Sequence, residues 1–223
     1  MSIDARKIRL LMQLRREGIT DSDVLSALEK VPREKFIPDS FRDKAYDNTA
    51  LPIANGQTIS QPFIVAYMTQ ALKIGERDTV LEIGTGSGYQ AAILSHLARR
   101  VYTIERHKSL QEDAIAVFED LKLRNITHRH GDGYKGWPEA APFDRIIVTA
   151  SAPGDLPEPL LEQLSEEGGV MVIPVKKDAI REKLVRVTKN GDEIKQEELL
   201  DVRFVPLVSQ KAGNLQSSES EEE

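Results

Sequence analysis

The chain has 223 residues, no cysteine, 30 basic and 36 acidic side chains, and a formal charge of −6. That length suits one domain with an added arm, and the missing cysteine excludes a disulfide framework, a thiolate metal site and a cysteine nucleophile. At 40% hydrophobic and 30% charged the composition is that of an ordinary globular protein, and the negative balance argues against a general nucleic-acid binder.

Charge is unevenly spread. Residues 211–223, KAGNLQSSESEEE, hold one Lys and four Glu and so half of the net charge; they are expected to form a disordered acidic tail. At the other end, Arg6, Lys7, Arg9, Arg15 and Arg16 interrupt every apolar run, which does not read as a signal peptide. No stretch approaches the roughly 18 apolar residues of a membrane span. The expectation is a cytoplasmic protein with no membrane partner.

Two short amphipathic helices are predicted first. Ile3, Ile8, Leu11 and Leu14 fall near helical spacing before Gly18; Thr20 or Asp21 can cap a second helix whose stripe is Val24, Leu25 and Leu28, with Pro32 ending it. Residues 32–59 form a long loop carrying Pro32, Pro38 and Pro52. A helix follows over Gln61 to Leu72, then a strand, TVLEIG, that breaks into glycines. Helices over 87–98 and 108–122 alternate with a strand RVYTIE, a brief strand after Ile126 and an apolar run from Arg145 to Ala150. Leu156–Leu164 reads as a short helix and Gly168–Pro174 as a strand. This alternation predicts βαβ units on a largely parallel sheet. At the end, Lys183–Thr188 and Ile194–Val205 flank Asn190-Gly191, the signature of an antiparallel hairpin. The fold expected is α/β, a three-layer αβα sandwich with an antiparallel C-terminal edge. Its parts are an N-terminal helical arm and loop over 1–56, a core over 57–210 and the tail over 211–223.

The sharpest motif is Glu82-Ile83-Gly84-Thr85-Gly86-Ser87-Gly88-Tyr89. A strand that turns through glycines into a helix brings backbone N–H groups to a ligand at the carboxyl edge of a sheet. A dinucleotide fingerprint needs Gly-x-Gly-x-x-Gly, but its last position is Tyr89 here, which disfavours a nicotinamide oxidoreductase. The order Gly-x-Gly-x-Gly, with Glu82 two positions before Gly84, instead resembles the first motif of Rossmann-like methyltransferases that use S-adenosylmethionine. Glu105, at the end of the second strand, can accept hydrogen bonds from both ribose hydroxyls. Asp132, after the third, sits where such methyltransferases often place an acid facing the adenine amino group, with Gly133 beside it.

A second group of segments is more specific. Asn55-Gly56-Gln57-Thr58-Ile59-Ser60-Gln61-Pro62, together with Pro32-Arg33-Glu34-Lys35-Phe36-Ile37-Pro38, Ala45-Tyr46, Gly131-Asp132-Gly133, Ala141-Pro142-Phe143-Asp144 and Phe204-Val205-Pro206-Leu207, resembles the protein-L-isoaspartate O-methyltransferases over residues 10 to 208. The chain departs from that pattern at Ala54, where glycine is commoner, and in its tail. The resemblance implies transfer of a methyl group from S-adenosylmethionine, leaving S-adenosylhomocysteine, to the free α-carboxylate of isoaspartyl residues in damaged proteins and peptides. It makes Ser60 the catalytic candidate, with Gln57, Thr58 and Ile59 beside it as substrate-binding residues. Glu82, Gly84, Thr85, Gly86, Ser87, Gly88, Glu105, Asp132 and Gly133 are the cofactor-binding candidates. Ser60 is expected at the N-cap of the helix from Gln61, where unpaired N–H groups favour an anion; capping its own helix is the alternative role. The Val205-Pro206-Leu207 segment resembles one that lies close to bound peptide. No metal is expected, and His96, His107, His128 and His130 are read as ordinary structure. Trp137 reads as a packed surface aromatic. The other functions weighed are a methyltransferase of this fold acting on a small molecule or nucleic acid and a catalytically silent protein that binds the nucleoside or a partner; a monomer is expected.

Overall fold

The computed structural model describes residues 3–208; the predicted tail lies outside them. Helix α1 (Ile3–Arg16) and helix α2 (Ser22–Lys30) open the chain. Asp21 caps α2, its side chain accepting from the Asp23 and Val24 amides, and Val24, Leu25 and Leu28 are buried as the stripe requires. The phase of α1 differs from the prediction. Leu10 and Leu14 are its buried residues, whereas Ile3 and Ile8 are exposed, because α1 is held along one narrow line against α2.

The proline-rich stretch is ordered through short 3-10 turns at Arg33–Phe36, Asp39–Lys44 and Ala54–Gly56. It also contains a two-residue ribbon of β1 (Leu51–Pro52) against β2 (Thr58–Ile59). Helix α3 (Pro62–Leu72) then leads into a regular alternation: β3 (Thr79–Ile83), α4 (Tyr89–Ser95), β4 (Arg100–Glu105), α5 (Lys108–Asp120), β5 (Ile126–His130), β6 (Arg145–Val148), α6 (Glu158–Glu162) and β7 (Glu167–Lys176). The hairpin of β8 (Glu182–Asn190) and β9 (Glu193–Val202) closes the sheet.

The sheet has the order β5-β4-β3-β6-β7-β8-β9. The first five strands in that order run parallel, and β8 and β9 add antiparallel. Side chains alternate across its two faces. Val80, Ile147, Val170 and Val172 face a core shared with α1 to α5; Leu81, Ile83, Ile146, Val148, Met171 and Ile173 face a second core that includes Leu160 and Leu164. The expected α/β sandwich is the observed one, with only a thin helical layer on the second face. Trp137 is not on the surface. It is 9% exposed, edge-on to Tyr102 at 5.2 Å and beneath the Arg129 guanidinium at 4.0 Å.

After β3 the chain builds β4 and β5 to one side and then returns to place β6 and β7 on the other. The order therefore reverses between β3 and β6. Ligands in open α/β sheets bind at the carboxyl edge of such a switch point.

Candidate active site

A cleft opens at that edge, about 940 Å³ counting its open mouth. Its floor is the loop after β3. Gly84 has φ +95°, and a Cβ there would lie 2.3 Å from Thr149 Oγ1. Thr149, just past β6, donates its hydroxyl to the Ile83 and Gly84 carbonyls at 2.9 and 2.8 Å, which pins the end of β3. Gly88, with φ +88°, sits at the N-cap of α4, and a Cβ there would meet the Phe118 ring at 2.7 Å. The glycines are thus required both by positive φ and by close approach.

Glu105 ends β4 on the wall of the cleft and is 4% exposed. Its Oε2 accepts the Gly86 amide at 2.8 Å and its Oε1 the His107 amide at 2.9 Å. A carboxylate offers about four acceptor positions, so capacity remains for a ligand diol. Beneath the loop lies a chain of hydroxyls: Thr85 Oγ1 contacts Thr103 Oγ1 at 2.5 Å, and Thr103 donates to Glu82 Oε2. Glu82 is fully buried with Oε1 unpaired. Burial pushes its carboxyl up to about 8, against the Thr103 hydrogen bond that lowers it and with the Glu105 charge that raises it further.

The Thr58–Ser60 segment forms the opposite wall. Behind it a second cavity is lined by Ala50, Gln61, Ile64, Arg203 and Phe204 among others. Thr58, Ser60, Thr149 and Val205 border both spaces. Ser60 is not the N-cap of α3. The helix begins at Pro62 and Gln61 occupies the cap position with no side-chain hydrogen bond, since Pro62 at the first helical position fixes the start one residue later. The Ser60 hydroxyl consequently has no hydrogen-bond partner among the described residues.

The family model described as protein-L-isoaspartate(D-aspartate) O-methyltransferase matches residues 5–212. The chain belongs to this family. A relative from Parvibaculum lavamentivorans named protein-L-isoaspartate O-methyltransferase is 61% identical over 207 residues, 92% of each chain. One of the same name from Maricaulis maris is 58% identical, over 94% of this chain and 97% of its own. Among solved structures, a protein-L-isoaspartate O-methyltransferase superposes with TM-score 0.83 at 28% identity, covering 95% of this chain and 68% of that one. Another, a candidate protein-L-isoaspartate O-methyltransferase from Plasmodium falciparum in complex with S-adenosyl-L-homocysteine, gives TM-score 0.77 at 28% identity, over 90% of this chain and 97% of its own.

Within this methyltransferase fold the sequence-predicted residues divide into two groups. Gln57, Thr58, Ile59, Ser60, Gly84, Thr85, Gly86, Ser87, Glu105 and Gly133 all line the cleft. Glu82, Gly88 and Asp132 do not. Glu82 lies under the floor, Gly88 is turned into the packing of α4 on α5, and Asp132 accepts the Tyr134 amide at a 3-10 turn beside Gly133. The sequence reading missed Thr149 and Ala150, whose only signal was their place after an apolar strand. It also gave no ligand role to Tyr89, which lines the cleft and is flanked by Phe36 at 5.5 Å and the buried Arg33 guanidinium at 4.9 Å. His107, read as ordinary structure, lines the cleft as well. Among the described residues no cluster of His, Asp and Glu could hold a metal ion.

Proposed function

We propose that Ser60 positions the free α-carboxylate of an L-isoaspartyl residue for methylation, and that the Gly84–Ser87 loop and Glu105 hold the methyl donor. The carrying observation is the place of Ser60: an unpaired hydroxyl in the partition between two cavities. A donor in the cleft and an acceptor in the second cavity would meet there. Asp201 and Arg203 both line the second cavity; Asp201 is paired with Lys183, whereas Arg203 has no acidic partner among the described residues, which leaves its charge for an anionic acceptor.

The cleft fits a nucleoside methyl donor. Glu105 offers spare acceptor positions to a ribose diol, Gly84 and Gly86 leave the floor as bare backbone, and Val65, Met68 and Ile104 supply an apolar wall. The complex of the Plasmodium falciparum protein with S-adenosyl-L-homocysteine supports the same assignment. When bound, S-adenosylmethionine supplies an electrophilic methyl group on a sulfonium and departs as S-adenosylhomocysteine.

The chain need supply no general base, because a carboxylate of ordinary pKa, about 4, is already ionised at neutral pH. What Ser60 contributes is orientation, donating to one acceptor oxygen and fixing the line of attack. Reaction of an anion with a cation diminishes charge, so exclusion of water by Ile59, Val205 and Leu207 assists. The methyl ester is a better leaving group than the carboxylate. Succinimide closure and hydrolysis then return part of the chain to the L-aspartyl form without further catalysis.

We take the protein to act as a monomer in the cytoplasm. A charged cofactor of this kind does not cross membranes unaided, which supports the cytoplasmic part of this reading. Among the described residues no helix is long and apolar enough to span a membrane. The test supplies labelled S-adenosylmethionine with paired peptides that carry isoaspartate or aspartate at one position. Base-labile label on the isoaspartyl peptide alone is expected; equal labelling, or none, refutes the assignment.

A further inference from the structure

Two Asn-Gly pairs fall within the described residues, Asn55-Gly56 and Asn190-Gly191, and the fold treats them oppositely. Both glycines have positive φ, +65° at Gly56 and +56° at Gly191, as tight turns between antiparallel strands require. At the second pair Asn190 is bound into the β8–β9 ladder opposite Glu193, and the Gly191 amide donates to the Glu166 carbonyl at 2.8 Å. At the first pair Asn55 is exposed with φ 56° and ψ 30°. The Gly56 amide has no hydrogen-bond partner among the described residues. Asn55 donates through Nδ2 to Ser109 Oγ at 2.9 Å, which leaves its side-chain carbonyl carbon open.

We propose that Asn55 is a modification site: it ages to isoaspartate, and the aged loop is then methylated by a second copy of this enzyme. The second half rests on the function assigned above. The Gly56 nitrogen attacks Asn55 Cγ, the bond from Cγ to Nδ2 breaks, and the amide proton leaves with the departing ammonia. Water then opens the succinimide. Opening at the α-carbonyl leaves the chain running through Cγ with a free α-carboxylate, the group the enzyme accepts.

Attack requires ψ of Asn55 to rotate. No Cβ at Gly56 obstructs this; the rotation gives up the Gln57 N–H bond to the Ala54 carbonyl and the Gln57 Nε2 bond to the Asn55 carbonyl, both within an exposed turn, but no sheet-ladder bond and none to the Gly56 N–H. At Asn190 the same rotation has to break the bond to Glu166 and draw the residue out of a ladder, which slows it about tenfold or more. The site's location gives the damage a consequence. Gln57 N–H donates to the Ala54 carbonyl, Ile53 N–H to the Gln57 carbonyl, and Gln57 Nε2 to the Asn55 carbonyl at 3.2 Å. An isoaspartyl linkage lengthens this turn by one methylene and adds a charge, displacing the Thr58–Ser60 wall. A copy that ages therefore loses turnover and cannot repair itself, since the damaged loop is part of its own site.

The experiment ages the full chain at neutral pH and maps isoaspartate by mass spectrometry while following turnover. Isoaspartate is expected at residue 55 about tenfold faster than at 190, with turnover falling in step. Asn55→Gly, which keeps the turn, should retain turnover on the same schedule. Aged protein is then given fresh enzyme and methyl-labelled S-adenosylmethionine. Base-labile label is expected on the peptide spanning residue 55, and none on unaged protein or on aged Asn55→Gly. An intact Asn55, or equal ageing at 190, overturns the damage site. Isoaspartate at 55 that takes no label, while an isoaspartyl control peptide does, overturns the repair in trans. If the control peptide also stays unlabelled, the assigned function itself fails, and the repair half with it.

Discussion

The Gly86 amide donates to Glu105 Oε2 across 2.8 Å, so the carboxylate that ends β4 is built into the glycine loop that follows β3. With the His107 amide on Oε1, both oxygens are fixed before any ligand arrives. The carboxylate is therefore preorganised, and a ligand diol meets an acceptor that needs no further ordering.

Glu105→Gln keeps the shape but replaces one acceptor oxygen with a donor, which opposes either the backbone amides or the ribose. Affinity for S-adenosylhomocysteine should fall about 10- to 100-fold, the span expected for loss of a charged hydrogen bond. Titration calorimetry reads this directly. Affinity within twofold of the parent would remove Glu105 from the ribose contact.

Ser60→Ala should behave differently. Turnover on an isoaspartyl peptide is expected to fall about tenfold or more, because one orienting hydrogen bond made in the transition state is lost. Binding of S-adenosylhomocysteine should stay within about twofold. Stability should be nearly unchanged, since Ser60 caps nothing. A melting shift comparable with loss of a helix cap would instead return Ser60 to a structural role.

Gly84→Ala forces a side chain into φ +95° and places its Cβ 2.3 Å from Thr149 Oγ1. The backbone alone should cost about 1–3 kcal/mol, read by denaturant unfolding. Contact predicts coupling: Thr149→Ala should cost less in the Gly84→Ala background than in the parent. Strict additivity would mean that the loop relaxes away from Thr149.

Glu82 gives a pH dependence with a sign opposite to the usual carboxylate. Its folded pKa of about 8 stands above the ordinary 4.5, so the folded chain binds the proton more tightly than the unfolded chain. The ligand-free protein should therefore lose stability as pH rises from about 4.5 to about 8 and level off beyond. The loss is on the order of a few kcal/mol. Glu82→Gln should flatten this slope, leaving a variant relatively more stable at the alkaline end. Parallel melting curves for the two proteins across that range would mean that Glu82 is charged throughout.

Local chemistry made most of the fold legible. Asp21 caps, Asn190-Gly191 turns, and strand runs bounded by glycine announced themselves because their causes lie within a few residues. The phase of α1 did not. Ile3, Ile8, Leu11 and Leu14 form an acceptable stripe, and only docking against α2 decided that Leu10 and Leu14 are buried while Ile3 and Ile8 face out.

The same division runs through the site. Sequence alone pointed to the methyltransferase family and singled out the glycine loop, Glu105 and the Gln57–Ser60 segment, which the fold brings to one cleft. Tertiary structure decided that Glu82 lies under the floor rather than in it and that Thr149 clamps the end of β3. It also decided that Ser60 stands free between two cavities instead of capping a helix. For Ser60 the cause is local, Pro62 at the first helical position moving the cap to Gln61; for Glu82 and Thr149 it lies further off. Which way a side chain faces, and whether its polar atoms are already taken, depends on partners distant in the chain: Thr103 lies 21 residues from Glu82, and Gly84 65 residues from Thr149.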